Sequence, residues 1–489
     1  MTSLDPRTPL LVGAGQFIQR PDNPSDALEP VAMMRESLVA AAADAGAPGL
    51  LDRITDTWAV KGAWPYPDPG ALLRDEFGND SRTGLSADGG NTPQSLVNKA
   101  CLRIMAGQAD VVAIVGAEGI WSRRRARRSG DRIPYTEQES GSPEELGPDL
   151  SMSLKVELQR GFEAPINFYP TFESAFRAQR GESIEEHRQR VARLWATFNE
   201  VAVANPYGWL RTPMTAEEIA SPDNGNRMVG FPYTRAMNSN WDLDLGAGLI
   251  LCSVEAAEAA GVPRDRWLFP HAGTDGHDTM AVSHRENLHS SPAIRVAGAK
   301  VMELAGVGPD SFDHVDLYSC FPSAVQISAT ELGLGLERQL TVTGGLTFAG
   351  GPLNNYVTHS IATMAGLLRD EPGTVGLCSA NGGYLTKHAF GIYSTEPPAE
   401  GFRHADCQAE IDTHPTVALD DTYVGSGTIE GYTVMHGRDG AEVALAAVRT
   451  PNGRQWANST DPALMAAMVT EEHVGRAVAV TPEYHLEMG

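Results

Sequence analysis

Val315 to Pro322 reads VDLYSCFP, and what this stretch becomes decides how the rest of the chain folds. Its apolar start reads as a buried strand, its centre sets Tyr318, Ser319 and Cys320 side by side, and Pro322 opens the helical pattern SAVQISATELG. Proline suits the first turn of a helix, where its missing N–H is not needed. A strand that hands polar groups to a helix start is where an open α/β sheet places its chemistry. Two glycine-rich segments downstream, GGLTFAGGPLNNY (Gly344 to Tyr356) and SANGGYLTKHA (Ser379 to Ala389), each lie beside a strand or helix start, so all three converge on one pocket in this reading.

Towards the N-terminus the same rhythm recurs. TPLLVGAGQF (Thr8 to Phe17) closes on glycine as a buried strand, and Asp26 stands where it can cap the helix ALEPVAMMRESLVAAAADAG. ITDTWAV is a second strand. After GLSADGGNTPQ, the helix SLVNKACLRIMAGQ leads to DVVAIVGAE (Asp110 to Glu118), an uninterrupted apolar run of the kind buried on both faces. Strands alternating with helices predict a mostly parallel sheet. Ala45, Gly46 and Asp56 recur as Ala305, Gly306 and Asp316 at a spacing of 260, and IMAG (Ile104 to Gly107) recurs as TMAG (Thr363 to Gly366) at 259. Small-residue helix ends resemble one another in any protein; the reading adopted is a duplication into two βαβαβ-type halves.

Between the halves, charge and proline break the pattern (WSRRRARRSG, EQESGSPEELG) before a long polar helix, ESIEEHRQRVARLWATFNEVAVANP. The segment reads as an insertion draped over one half. Arg123, Arg124, Arg125, Arg127 and Arg128 either clamp a phosphate, which suits guanidinium forks, or form a solvated basic loop. Past the double proline of HAFGIYSTEPPAEGF come short alternating stretches (CQAEI, THPTVAL, GTIEGYTVMH, AEVALAAVRT, RAVAVTP), which predict a small β-barrel, plausibly of the oligonucleotide/oligosaccharide-binding type. The division is therefore 1–118 with 225–250 as the first half, 119–224 as the insertion, 251–396 as the second half and 400–489 as the C-terminal barrel.

Composition narrows the function. A net charge of −24 over 489 residues repels nucleic-acid phosphates and anionic lipid, which argues against either as partner. The chain has no apolar run of about 18 residues and MTSLDPRTPLLVGAG lacks a secretory core, so a cytoplasmic location is expected. Five scattered cysteines (Cys101, Cys252, Cys320, Cys378, Cys407) without a CxxC pair suggest neither disulfides nor a metal site.

Duplicated halves, an insertion after DVVAIVGAE, a helix ending AGQADVV, the strand-end motif Tyr318 to Phe321, a GxP turn before a helix and a glycine-rich strand loop together resemble the thiolase superfamily over about residues 8–395. Nearest are the sterol-carrier-protein-type thiolases and the thiolase-like proteins with an extra C-terminal barrel. The resemblance implies an α/β fold of five layers, α-β-α-β-α, plus the small all-β domain. It implies an acyl-CoA thioester as substrate or ligand, no covalently bound cofactor, no metal, and a homodimer formed through the strand DVVAIVGAE.

The family's chemistry is missing at the matching letters. The nucleophilic cysteine, which needs a helix N-terminus to hold its thiolate, falls at Gly90 in DGGNTPQ, and the histidine of the GHP turn falls at Gly351 in GGPLNNY. The His-Asp-Cys-Phe motif becomes Tyr318, Ser319, Cys320 and Phe321, and the loop that often carries a further cysteine reads Ser379, Ala380, Asn381, Gly382, Gly383. An acyl-cysteine mechanism therefore cannot run in the usual way. Tyr318, Cys320, His388, Tyr356 and His359 remain as candidate catalytic groups, with Gly90, Asn91, Ser319, Gly351, Asn354, Asn355, Asn381, Gly382 and Gly383 as candidate substrate contacts. Packing, capping and turn formation are the competing roles for Tyr356, His359, His388, Asn354 and Asn355; Cys101, Cys252 and Cys378 read as core. Two functions compete: an enzyme of lipid or steroid metabolism performing acyl transfer or retro-aldol cleavage on an acyl-CoA, and a non-catalytic acyl-CoA or lipid binder.

Overall fold

The apolar run at Asp110 to Glu118 becomes a strand in the interior of a six-stranded sheet. The computed structural model describes residues 4–487; residues 1–3 and 488–489, counted above with the first half and the barrel, lie outside the described residues. Strands β1 (Pro9–Ile18), β2 (Asp56–Ala59), β3 (Arg82–Ser86) and β4 (Val111–Gly119) come from the first half. The insertion supplies β5 (Glu144–Leu146), and β6 (Met228–Gly230), β7 (Tyr233–Thr234) and β8 (Asp244–Ser253) follow it on the return to the first half. The sheet runs β1-β8-β4-β2-β3-β5. Every residue of β4 is buried, with β8 antiparallel on one side and β2 parallel on the other. This corrects its expected role as a dimerising edge: both of its backbone rows are already paired, so none is left for a second copy. The outer side of β3 is met in parallel by β5, so the insertion covers that edge as well.

The second half repeats the plan. Strands β9 (Phe269–His277), β10 (His314–Asp316), β11 (Val375–Gly382), β12 (Lys387–Ser394) and β13 (Arg403–Asp406) form a sheet ordered β10-β11-β12-β9-β13. Read backwards, β9-β12-β11-β10 matches β1-β8-β4-β2, with one parallel and two antiparallel pairings in the same places. The helices Thr92–Met105 and Tyr356–Asp370 lie between the sheets, Pro30–Asp44 covers the outside of the first and Pro292–Ala305 the outside of the second. These are the five layers of a thiolase fold. The middle layer explains its own sequence: Leu96, Val97, Ala100, Cys101 and Ile104 form an apolar stripe, while buried Gln94 and Asn98 turn to the second sheet, accepting from Tyr393 Oη (2.8 Å) and donating to Asp275 (2.8 Å) respectively.

Local readings need correction in four places. Asp26 closes a short turn, Pro24–Asp26, and caps nothing; the helix starts at Pro30, whose fixed φ suits that position. The arginine run is no loop but the helix Ile120–Ser129, ended by Gly130 at φ +81°. CQAEI is helical (Gln408–Ile411), and THPTVAL makes only isolated bridges, at Thr416 and Leu419. The C-terminal sheet instead runs β14 (Gly425–His436), β15 (Ala441–Thr450), β16 (Gly453–Ser459), β17 (Ala477–Val480) and β18 (Leu486–Glu487) in the order β16-β15-β14-β17-β18, with β6 and β7 joined to it through β14. Its pairings are antiparallel, and a bridge from Asn458 to His485 brings its two ends together. It also carries the helix Pro462–Thr470, capped by Asp461, which accepts from Ala463 N–H at 3.0 Å.

The insertion ties these parts to one another. Its helix Pro165–Arg180 packs on β14, where Ser174 Oγ donates to the Tyr432 carbonyl (2.9 Å) and Arg177 pairs with Glu472 (2.7 Å). From the same helix, buried Glu173 accepts from Tyr233 Oη (2.5 Å) and from Gln326 Nε2 (2.6 Å) on the helix that follows VDLYSCF. The strand-end motif is thus held from both sides before any ligand arrives.

Candidate functional site

β10 is short, and after it the chain leaves the sheet edge with its backbone still bonded: Leu317 N–H donates to the Leu340 carbonyl (2.9 Å) and Tyr318 N–H to Ser379 Oγ (2.9 Å). These bonds fix the start of the Tyr318 side chain. Its ring stands edge-on to Tyr356, with centroids 5.5 Å apart. Its hydroxyl reaches Gly90, and a Cβ added to Gly90 would overlap the Tyr318 hydroxyl oxygen and the Asn381 carbonyl. Only glycine leaves room for that approach. The hydroxyl makes no hydrogen bond among the described residues, and burial, with Cys320 beside it, pushes its pKa upward. Tyr318 is therefore a neutral phenol with an unspent donor.

The other candidates divide between the two faces of the second sheet. Along β12, Phe390 and Ile392 pack on the outer side while Ala389 and Tyr393 pack against the middle helices with Tyr318. Side chains alternate, so His388 lies on the outer face, away from the Tyr318 ring. There its Nε2 is 4.0 Å from Asp278 and makes no hydrogen bond. Burial lowers its pKa to about 4, so it is neutral. Asn381, its partner in register, donates from Nδ2 to Tyr169 Oη (3.0 Å) and to Cys320 Sγ (3.7 Å). Burial pushes the Cys320 thiol up to about 12, which keeps it protonated and a poor nucleophile.

Two expected members turn their polar atoms elsewhere, although the Tyr356 ring touches that of Tyr318. Tyr356 Oη is bonded to Asp316 (3.1 Å) and Thr343 (2.6 Å), and His359 Nδ1 faces Gln16 of β1 (2.8 Å), its pKa lowered by burial to about 3. The Tyr356 hydroxyl and the His359 imidazole both serve the middle layer, so that Tyr356 meets Tyr318 through its ring alone. Gly351 packs with Leu346, 3.1 Å from where a Cβ would stand, and donates its N–H to the Asn240 carbonyl (2.8 Å). Ser319 Oγ accepts from Leu346 N–H (3.2 Å), and Asn355 Nδ2 donates to the Gly116 carbonyl (2.7 Å); both hold loops.

Asn354 does belong to the site's rim. Its side chain accepts from Gly89 N–H (3.1 Å) and donates to the Lys61 carbonyl (2.9 Å) and Asp88 (3.2 Å). Around that rim the structure adds residues that sequence reasoning missed. Lys387, buried, donates to the Asp88 carbonyl and sits over Gly89 and Gly382; burial lowers its pKa against the pull of Asp149 and Asp88. It is the one charged residue between Glu371 and Glu396, a signal the sequence did carry. Lys61 pairs with Asp88 (2.7 Å) and Asp149 (3.4 Å). Met152 of the insertion fills the space above Gly383, whose φ of +71° already favours glycine, and Ser153 is 3.3 Å from Tyr384 Oη. Asn91 Oδ1 and Asn381 Oδ1 are buried and accept no hydrogen bond among the described residues. The Tyr318 side thus holds a free hydroxyl donor, the free Asn91 acceptor and one buried ammonium, and the free Asn381 acceptor lies on the His388 side of the sheet. Buried polar atoms without partners are uncommon and call for a ligand or a water.

All five cysteines are free, and among the described residues no group of three or more His, Cys, Asp or Glu could hold a metal ion. No described helix is long and apolar enough to cross a membrane.

Known proteins agree with this architecture. The family model for the thiolase-like protein type 1 additional C-terminal domain matches residues 406–484. The crystal structure of a monomeric SCP2-thiolase like protein type 1 from Mycobacterium smegmatis superposes at a TM-score of 0.85 and 30% identity over 100% of both chains. Fold alone is shared with the Ltp2-ChsH2(DUF35) aldolase, at a TM-score of 0.59 and 17% identity over 79% of this chain and 98% of that one. An acetyl-CoA acetyltransferase of Methanocaldococcus jannaschii is 24% identical over 239 residues, 48% of this chain. That match spans about half of the relative, 53% of its length. The homodimer expected from the resemblance gains no support, since the similar structure from Mycobacterium smegmatis is a monomer.

Proposed function

Since this chain belongs to the family of SCP2-thiolase-like proteins of type 1, we propose that its site takes an acyl-CoA thioester and acts on it without ever forming an acyl-cysteine. The observation that carries this reading is the Tyr318 hydroxyl, unbonded, lying on Gly90 where the thiolase nucleophile would be. A thioester carbonyl there would accept from the phenol, and that bond strengthens as negative charge grows on the oxygen. Asn91 Oδ1, beside Gly89 and Gly382, suits an amide N–H group of a pantetheine arm. Lys387, with its lowered pKa and its ammonium over Gly89, is the candidate for moving a proton. Retro-aldol cleavage of a carbon–carbon bond needs an oxyanion donor and a base but no nucleophile, so it fits better than acyl transfer. We propose further that the protein works as a monomer, the outer side of β3 being occupied by β5.

A non-catalytic acyl-CoA or lipid binder is the second reading, favoured by the placement of both candidate imidazoles away from Tyr318. Tyr318→Phe separates the two. The lyase reading expects unchanged acyl-CoA affinity and a rate lowered by about 10²–10³. Loss of folding with turnover per folded molecule unchanged would reduce Tyr318 to a packing residue.

A further inference from the structure

We propose that the cleft between the loop after β2 and the helix after β4 is a separate ligand site for a flat-ringed organic phosphate of the nucleoside diphosphate class. The cleft has a volume of about 660 Å³, within the usual size of a small-molecule site. Arg123, Arg127 and Arg132 line it with Trp64 and Tyr135.

The arginines of the run at 123–128 are not equivalent. Arg124 is paired with Asp242 (2.8 Å), and Arg125 donates to the Pro21 and Asp22 carbonyls (2.7 Å each) while lying over Trp121. Arg123 spends one nitrogen on the Ala63 carbonyl (2.8 Å) and stands beside Tyr135 and Glu118. Arg127 and Arg132 have neither a hydrogen bond nor an ion pair among the described residues. One carboxylate, Asp131, stands on the same rim, accepting from Ser129 Oγ (2.9 Å). On the open side three guanidiniums face one carboxylate, Asp131, while Glu118 accepts from Ala63 N–H (2.8 Å) beside Arg123 and Glu29 is spent on Tyr66 and Thr136 within the wall; guanidinium forks match phosphate oxygens.

The walls are built rather than loose. Trp64, Tyr66 and Tyr135 form a ladder with centroids 5.5 and 5.9 Å apart, offering ring faces to a base. Glu29 pins the far wall by accepting from Tyr66 Oη and Thr136 N–H, both at 2.6 Å, and Ile133 is buried against Ala27 and Ala126. Trp64 Nε1 is buried and donates to nothing among the described residues. The ligand has two sources. It is either a free nucleotide or the nucleotide end of CoA, because the loop from Lys61 to Pro65 runs from the rim of the Tyr318 site, at Lys61, to the cleft, at Ala63 and Trp64.

The test is calorimetric titration of the full chain with ADP, adenosine, inorganic pyrophosphate and CoA, repeated on the double variant Arg127→Glu/Arg132→Glu and on Trp64→Leu. Both arginines are exposed, so the double variant keeps the fold. ADP is expected to bind at least about tenfold more tightly than adenosine or pyrophosphate, to lose about tenfold or more in the double variant, and to lose about three- to tenfold in Trp64→Leu. An equal loss for CoA in the double variant identifies the nucleotide end of CoA as the source; CoA affinity unchanged while ADP weakens identifies a free nucleotide. No saturable ADP binding at millimolar concentration, or ADP affinity unchanged in the double variant, overturns the proposal. Tyr318→Phe leaves ADP binding untouched, so failure at this cleft and failure at the acyl site are told apart.

Discussion

Asp56 in the first half and Asp316 in the second stand on matching strands, yet they meet opposite surroundings. Arg82 lies 2.8 Å from Asp56 and Arg103 lies 3.5 Å away, whereas Asp316 pairs with no cation among the described residues and meets neutral donors, among them Thr341 (3.1 Å) and Tyr356 (3.1 Å). The glycines that replace the reactive groups differ likewise. At Gly90 a side chain would overlap Tyr318 from the other half, while at Gly351 it would meet Leu346 at 3.1–3.4 Å. The duplication has kept the frame of strands and let the loops and partners diverge, and the candidate site sits where one half fills the space the other has vacated.

The largest effect that would sharpen this contrast concerns Asp316. Burial raises its pKa from 3.8 to about 7, so the folded chain holds this proton to higher pH than the unfolded chain does. Stability is unaffected below pH 4, falls as pH rises towards 7, and is then level, the full loss being roughly 4 kcal/mol. Asp316→Asn removes the slope. Urea unfolding at pH 4.5 and 7.5 reads it, and equal slopes in variant and wild type would show that Asp316 is ionised like an ordinary carboxylate.

Next comes Cys320. A thiol pushed up to about 12 should react with iodoacetamide at pH 7.5 about 10²-fold or more slowly than a free cysteine. Fast labelling at this position, mapped by peptide mass, would return a thiolate to the site and undo the non-covalent reading. Smaller again is the glycine pair. Gly90→Ala should lose about 1–3 kcal/mol through overpacking against Tyr318 and the Asn381 carbonyl, and Gly351→Ala less than about 1. Equal losses would erase the difference between the halves. The smallest effect is at Leu353, held at φ +47° in the loop after Gly351 and partly exposed. Asparagine tolerates that conformation, so Leu353→Asn should stabilise by a few tenths to about 1 kcal/mol in thermal unfolding.

Much of the frame was legible because its signals are local. The run DVVAIVGAE could only be a doubly buried strand, and the recurrence of Asp56 as Asp316 exposed the duplication before any pairing was known. Side-chain direction was not legible. His388 and Tyr318 stand on segments that read as converging on one pocket, but alternation along β12 sends His388 to the outer face, and a helix start turns His359 to Gln16. CQAEI alternates like a strand and folds as a helix, because a short run is decided by what it packs on. Lys387 and the flap at Met152 became visible only when Gly89, Gly382 and Gly383 were seen beneath them. The arginine run reads as a loop by composition and is a helix whose members have separate partners.

Native mass spectrometry of the full chain with a short acyl-CoA tests the central claim most directly, because it weighs the protein, its complex and any covalent product in one sample. The account predicts a monomer that gains the mass of one acyl-CoA and loses all of it on denaturation. An acyl increment that survives denaturation, or no complex at any acyl-CoA concentration, would contradict it.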